Sequence, residues 1–174
     1  MKTCNGIGKR FVLAMIAGFA FSTAVLAQDA IDQRHLREMT DQVVNQAGDE
    51  LEEAGIFRPM AFMVMKSDKV QQMRLEEEAE QAPGNVKVLM YRAGLKAIAR
   101  RGEIHAAVIA YPGSVEKNGE TIRAMALEHE HRLGVSGIKL IPVRLEDGEA
   151  SFGEPMSQDK PFQIFYDAKK ESDE

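Results

Sequence analysis

The chain has 174 residues, of which 44% are hydrophobic and 28% are charged, and its formal net charge is −5. This length allows one domain of ordinary size, and the balance of apolar and charged residues is that of a globular protein. The composition excludes collagen, a disulfide-stapled miniprotein and a multi-span membrane protein. The acidic balance argues against nucleic acid as a partner, because phosphate binding needs a basic surface.

Residues 1–27 have the three-part pattern of a cleavable signal peptide. Lys2, Lys9 and Arg10 form a positive front end, a mainly apolar run follows over 11–26, and small residues precede the end at Ala27. The run is shorter than the roughly 20 residues that cross a bilayer, although an uncleaved anchor is the alternative. We therefore expect export to a bacterial periplasm or the medium. Cleavage would remove three basic residues and the single cysteine, leaving a net charge of −8.

Residues 28–168 are predicted to form a single α+β domain, followed by a frayed acidic tail over 169–174. The first helix is predicted to begin at a cap, Asp29 or Asp32, and to end at Gly55. Apolar residues recur at steps of three and four along it, which places them on one helical face. That face comprises Leu36, Met39, Val43, Ala47, Leu51 and Ala54.

The next segments are predicted to be two strands and a second helix. A strand over 57–65 leads through a tight turn into a strand over 70–75, and the acidic run after it is predicted to be a solvated loop. The second helix is predicted to begin at Asn85 and to end at Gly102. Its predicted apolar face comprises Val86, Leu89, Met90, Ala93, Ala97 and Ile98.

The second half of the chain is predicted to be mostly strand. The segment 104–111 is apolar on both faces, so we expect a helix to cover each face of the sheet. A binding loop is predicted over 112–120. The other predicted elements are strands over 121–132 and 137–144, a hairpin turn at Asp147 and Gly148, and short strands over 150–153 and 162–166.

The predicted order is α-β-β-α-β-β-β, with a five- to six-stranded antiparallel sheet flanked by two helices. This order resembles that of profilin-like and roadblock-like domains, in which helices flank a five-stranded antiparallel sheet. The resemblance lies in the order of the elements and carries no motif. Because such folds host unrelated functions, it implies an architecture and no activity.

A His-x-His pair, His129 and His131, is the pattern that most suggests chemistry. In a strand the two imidazoles lie on the same face, and two imidazoles at that spacing can bind one zinc or copper ion. His105, on the neighbouring predicted strand, falls diagonal to His129 in one register of the hairpin. A two-residue turn at 118 and 119 gives the other register, in which this alignment fails.

The acidic neighbours of the pair have two interpretations. In a metal site, Glu128 or Glu130 would orient a ligand or act as a base. In the alternative, this is an exposed strand end where Glu and His form cross-strand polar pairs. His35 is predicted to be an exposed or partly buried helix residue rather than a base.

The sequence shows no catalytic machinery and favours a non-enzymatic protein. Ser114 lies outside any G-x-S-x-G elbow, and the glycines form no phosphate-binding loop. The leading prediction is an exported small soluble binding or interaction domain without a cofactor. Its predicted binding residues are Ser114, Asn118, Glu128 and Glu130, because loops and strand ends on a rigid sheet usually carry binding.

The sequence leaves the identity of the partner open. The prediction is an unknown protein or small ligand, with no nucleic acid and, after signal cleavage, no membrane; a homodimer is also left open. The alternative function is a metal-binding or metal-dependent protein that holds zinc or copper with His129, His131 and His105.

Overall fold

The computed structural model describes residues 22–117 and 119–166, which form an α+β arrangement with one curled antiparallel sheet. This confirms the predicted α+β class and the antiparallel sheet, but the sheet of the described residues has seven strands rather than the predicted five or six. The elements in chain order are α1 (Ser22–Ala54), β1 (Met60–Met65), β2 (Val70–Met73), α2 (Glu77–Glu80), α3 (Gly84–Arg100), β3 (Ile104–Lys117), β4 (Glu120–His131), β5 (Val135–Glu146), β6 (Glu149–Phe152) and β7 (Met156–Asp159).

The helix α1 buries the apolar face that its sequence predicts. Met39, Val43, Ala47 and Leu51 are fully buried, one turn apart along the helix. It ends at Gly55, whose φ of 72° is a left-handed conformation that glycine adopts without strain. The predicted start at Asp29 or Asp32 is wrong, because the described helix is already present at Ser22. No described helix is long and apolar enough to cross a membrane.

The sheet has the order β2-β1-β3-β4-β5-β6, and β7 also pairs with β5. The far edge of β5 is shared: its first half pairs with β7 and its second half with β6. The predicted strand over 162–166 is wrong, since this segment forms bends, and the last strand is β7 instead. The predicted acidic loop contains the one-turn helix α2.

Each face of the sheet is covered by one long helix. On the α1 side, the buried row of the helix packs on the even-numbered residues of β1 and β3, such as Phe62 and Val108. On the α3 side, Tyr91 and Leu95 pack with odd-numbered residues such as Met63 and Ile109. The sheet curls around α1, where β6 contacts the helix and the Ala150 N–H donates to Glu52 Oε1 at 3.0 Å. The centre of the sheet is therefore buried on both faces, as the apolar residues on both faces of 104–111 predict.

The buried face of α3 is not the predicted one. Val86, Leu89 and Met90 are exposed by 38%, 59% and 37%, whereas Val88, Tyr91 and Leu95 are buried. The predicted set and the buried set of α3 residues are both largely apolar, so helical periodicity alone does not predict which of them faces the sheet. The choice buries Lys87, whose Nζ pairs with Glu80 at 2.8 Å, and it buries the large ring of Tyr91.

Two tight hairpins set the register of the second half. Lys117 pairs with Glu120 and Val108 with His129, so the hairpin adopts the register in which His105 is not diagonal to His129. The predicted loop over 112–120 is therefore mostly a continuation of β3. Asp147 and Gly148 have φ values of 54° and 86° and join β5 to β6 as the predicted hairpin turn.

Candidate functional site

Three of the four histidines meet at one end of the sheet, against the first half of α1. The ring of His35 stacks with those of His105 in β3 and His131 in β4, at centroid distances of 5.8 and 5.4 Å. The Oδ1 atom of Asp68, in the β1–β2 turn, lies 3.3 Å from His35 Nε2 and 3.7 Å from His105 Nε2. We call these four residues the histidine cluster. It lines a pocket of about 280 Å³.

A β-bulge brings His105 into the cluster. The consecutive residues Val64 and Met65 of β1 pair with Ala106 and Ile104 of β3, so His105 is an extra residue in β3. A bulge redirects the side chains around it. Here Ile104 packs in the core on the α3 side, whereas His105 turns to the opposite face and stacks on α1.

The hydrogen bonds of the histidine cluster have a single donor-to-acceptor direction, and the backbone N–H of Leu133 fixes it. The N–H of Leu133 donates to His131 Nδ1 at 3.1 Å, so the neutral ring of His131 carries its proton on Nε2. That Nε2–H donates to His35 Nδ1 at 3.1 Å, and His35 then directs its own Nε2–H at Asp68. Arg34 approaches His35 Nε2 at 3.3 Å, where both groups are donors, so its partner is Asp68 Oδ2 at 3.8 Å.

Burial disfavours the charged forms of the His131 and His35 rings. Burial lowers the pKa of His131 to about 4, and repulsion by His35 and His105 adds to the effect. Burial also lowers the pKa of His35, against the attraction of Asp68. A second proton on either buried ring needs the Nδ1 lone pair, which already accepts a hydrogen bond. Acid therefore breaks the hydrogen-bond chain that joins α1 to the sheet.

Hydrogen bonds occupy the Nδ1 lone pairs of the three rings, which are therefore not free to bind a metal ion. His131 and His35 each accept at Nδ1 and donate at Nε2, and Arg132 donates to His105 Nδ1 at 3.3 Å, which leaves its proton on the Nε2 that faces Asp68. Metal ligation requires an unprotonated nitrogen directed at the ion. Across the described ranges, no group of three or more His, Cys, Asp or Glu side chains has a geometry that could hold a metal ion.

His129 stands apart from the cluster. Its ring lies over Gly137, where a Cβ atom would come within 2.9 Å of the His129 ring and 3.0 Å of the Gln158 carbonyl. Its buried Nδ1 has no hydrogen-bond partner in the described chain, and burial lowers its pKa. Of the three predicted metal ligands, the structure thus brings His105 and His131 together and leaves His129 elsewhere on β4.

Glu128 lies on the opposite face of β4, under α3, and is buried in a polar network. Arg92 donates to both of its carboxylate oxygens at 3.0 Å, and the Tyr111 hydroxyl donates to Oε1 at 2.8 Å. Lys160 lies 3.1 Å from Oε2. Burial opposes the charge, but these donors together lower the pKa of the Glu128 carboxyl. All its partners are groups of this chain, which makes Glu128 a structural anchor.

Glu130 holds the C-terminal segment onto the sheet. Its carboxylate is fully buried and accepts three backbone N–H bonds, from Gln163 at 2.7 Å, Ile164 at 2.9 Å and Phe165 at 3.1 Å. Lys160 Nζ lies 3.5 Å away. The interpretation of this strand end as an exposed set of polar pairs is therefore wrong, since Glu128, Glu130 and His131 are all buried.

Ser114 lies toward the other end of the β3–β4 hairpin. It is exposed and pairs with Arg123, whereas His131 pairs with Ala106. Eight residues of strand separate the two places, or about 26 Å at roughly 3.3 Å per residue. Asn118 lies outside the described residues. The predicted binding loop and the histidine-bearing strand end are therefore two separate sites.

The distal half of β3 has an open edge. β1 pairs with β3 from Ile104 to Ala110, and among the described strands none pairs with residues 111–117 on that side. On the other side, β4 pairs with β3 along this whole length. We call residues 111–117 the free edge.

The ladder shows which backbone groups of the free edge point outward. The Arg132 N–H donates to the His105 carbonyl at 2.9 Å, and residues of an antiparallel ladder alternate between their two neighbours. Odd-numbered residues of β3 therefore bond to β4, and even-numbered ones direct their N–H and C=O groups outward. Ser114 and Glu116 are the outward donors, because Pro112 has no N–H.

Sequence reasoning missed His35 and Asp68. His35 is 1% exposed, so its assignment as an exposed or partly buried residue is wrong. A signal was present, because His35 stands four residues before Met39 and so continues the buried row of α1. Asp68 carries no such signal: it is a turn residue with a φ of 59°, and only the fold brings it to the histidines.

Comparison with known proteins finds no family model, no curated protein and no solved structure that matches this chain.

Proposed function

We propose that this protein is an exported interaction domain that binds an extended segment of a partner polypeptide along the free edge of β3. The observation that supports the proposal is that β3 continues for residues 111–117 beyond its pairing with β1. The outward N–H groups of Ser114 and Glu116 and the neighbouring carbonyls form a pattern that an added strand can match. The predicted binding residue Ser114 lies within it.

The chemistry of the edge favours a polypeptide over a small molecule. Its regularly spaced backbone donors and acceptors are what another strand presents, and open edges are templates for such pairing. The side chains along it are small or polar, with Pro112, Gly113, Ser114 and Glu116 exposed. Main-chain hydrogen bonds would therefore supply the affinity, and the side chains beside Glu116 would set the preference for a partner.

Export is part of the proposal and rests on the sequence. The positive front end, the apolar run over 11–26 and the small residues before the end at Ala27 support a cleavable signal peptide. An interaction domain in the periplasm or the medium also agrees with the absence of a recognisable nucleophile or phosphate loop in the sequence. The profilin-like or roadblock-like order of elements stays a prediction and carries no weight in this function.

The test uses linear peptides selected from a random display library against residues 28–174. We expect the selected peptides to bind the wild type, and Ser114→Pro to weaken their binding at least about tenfold, because it removes one outward N–H and obstructs strand addition. Ser114→Ala is the matched control, since it removes the side chain and keeps the N–H. The readout is the dissociation constant from fluorescence anisotropy.

Two results would contradict the proposal. One is a selection that yields no peptide binding at the free edge, and the other is equal binding by Ser114→Pro and Ser114→Ala. Because the Ser114 N–H faces away from β4, the proline leaves the β3–β4 hydrogen bonds in place. A circular dichroism spectrum like that of the wild type would verify this. Light scattering on the same samples shows whether the bound strand comes from a second copy of this chain.

The alternative of a zinc or copper protein has one supporting feature and one opposing feature. In its favour, His35 Nε2 and His105 Nε2 both approach Asp68 Oδ1. Against it, the hydrogen bonds from Leu133 to His131 and from His131 to His35 assign the proton of His35 to Nε2, and the Arg132 guanidinium at Nδ1 assigns that of His105 to Nε2. The geometry supports a structural cluster better than a metal centre.

Metal content decides between the two interpretations. We expect the protein, purified without chelator or affinity histidines, to contain far less than one zinc or copper per chain by inductively coupled plasma mass spectrometry. About one ion per chain, retained in His129→Ala and lost in His35→Ala, would instead place a metal in the histidine cluster. Loss in His129→Ala would restore the site predicted from the sequence.

A further inference from the structure

A polar pocket of about 360 Å³ lies between α1, the β1–β2 edge and α3. This volume is at the small end of the range of roughly 300–1,000 Å³ that ligand sites occupy. Pro59, Met60 and Leu75 form an apolar wall, and the remaining lining is charged or polar. The pocket is separate from the histidine cluster, with which it shares no lining residue.

Both acidic groups of the pocket are already paired within the chain. Glu50 accepts the Arg58 N–H at 2.8 Å and lies 3.6 Å from the Arg58 guanidinium. Glu80 pairs with Lys87 at 2.8 Å. Arg74 lines the same pocket and is exposed, and it has no acidic partner in the described part of the chain. The pocket therefore presents one uncompensated positive charge.

The hydroxyl of Tyr91 is the second unmatched group. Tyr91 is 3% exposed and lines the pocket, yet its hydroxyl has no hydrogen-bond partner among the described residues. Burial, with the nearby carboxylates of Glu80 and Glu50, raises the pKa of Tyr91 to about 12, so the hydroxyl remains a donor at neutral pH. The hydroxyl oxygen is not among the buried polar atoms that lack a partner, so it is open to the pocket, where an acceptor atom of a ligand can reach it.

We infer that this pocket binds a small organic monocarboxylate, with its carboxylate on Arg74 and a polar atom accepting from the Tyr91 hydroxyl. One unpaired guanidinium matches one carboxylate in charge and geometry, since the planar group can donate two parallel hydrogen bonds. The wall of Pro59, Met60 and Leu75 would contact the carbon skeleton. This site is independent of the free edge of β3, so each proposal can fail without the other.

The experiment compares carboxylates with their neutral primary amides. The probes are 4-hydroxyphenylacetate and N-acetylglycine, each beside its amide, titrated into the protein and followed by ¹⁵N–¹H chemical shifts. We expect the carboxylates to shift signals of pocket residues and the amides to bind at least about tenfold more weakly. Arg74→Gln should weaken carboxylate binding by about the same factor. Arg37→Gln, an exposed arginine of α1 outside the pocket, should leave it unchanged.

Tyr91→Phe separates a binding role from a structural one. Because the hydroxyl has no partner among the described residues and is open to the pocket, we expect the free protein to keep its Tm, while carboxylate binding weakens about fivefold. A lower Tm in the free protein would show that the hydroxyl serves the fold. The inference is overturned if neither carboxylate binds, if the amides bind equally well, or if Arg74→Gln binds like the wild type.

Discussion

Glu130→Ala is expected to lower the free energy of unfolding by about 3–5 kcal/mol, because it removes a buried charge from all of its partners. Three backbone N–H groups, of Gln163, Ile164 and Phe165, lose their acceptor, and Lys160 loses one of its two carboxylates. Ile164 is a buried member of the core on the α3 side, so the loss extends to packing. Urea unfolding followed by circular dichroism measures the change.

Two further variants make this prediction decisive. Glu130→Gln keeps one acceptor oxygen and the side-chain volume, so its effect should fall between those of the wild type and Glu130→Ala. Glu120→Ala removes an exposed acid from the same strand and should change stability by less than about 0.5 kcal/mol. If Glu130→Ala behaves like Glu120→Ala, the carboxylate does not hold the C-terminal segment. Limited proteolysis should cut within residues 160–166 more readily in Glu130→Ala.

Stability is expected to fall between pH 6.5 and pH 4 because of the buried histidines. The pKa of His131 falls from its ordinary 6.5 to about 4 in the folded protein, so the unfolded chain binds more protons in this interval. The stabilisation is complete above the unfolded pKa and is lost as pH falls toward the folded one. His131 alone accounts for about 3 kcal/mol, and the lowered pKa values of His35 and His129 act in the same direction.

The measurement is the slope of the free energy of unfolding against pH. Each proton taken up on unfolding contributes up to about 1.4 kcal/mol per pH unit. His131→Gln should reduce this slope between pH 6.5 and pH 5, whatever its effect on stability at neutral pH. His129→Gln should also reduce the slope, because the His129 ring is buried and has a lowered pKa although it lies outside the histidine cluster. An unchanged slope in both variants would show that these rings do not remain neutral in the folded protein.

The sequence predicted the sheet better than the surfaces around it. Both faces of 104–111 are apolar, so burial of β3 on both sides followed from alternation alone. The sequence leaves the register of this hairpin open, because both registers keep β3 and β4 antiparallel, and the pairing of Lys117 with Glu120 decides between them. On α3, two adjacent apolar rows compete, and the row with Tyr91 and Leu95 is chosen by its fit to the sheet, which periodicity does not contain.

The candidate site was the least predictable part. The His-x-His spacing of His129 and His131 suggested a shared role, but one ring joins His35 and the other lies over Gly137. The bulge that turns His105 toward α1 has no sequence signature that we recognise. Glu130 belongs to an acidic pair whose sequence pattern is typical of an exposed surface. Its partners in the structure are backbone N–H groups more than 30 residues further along the chain.

The anchoring of residues 163–165 by Glu130 also has a consequence for the order of folding. The β3–β4–β5 meander needs only neighbouring segments, so it can form while the rest of the chain is still emerging. Its Glu130 carboxylate, however, faces the α3 side without its backbone donors until the last part of the domain arrives. We therefore expect that core to close late, with a nascent chain that stays open and protease-sensitive until residues 163–165 are available.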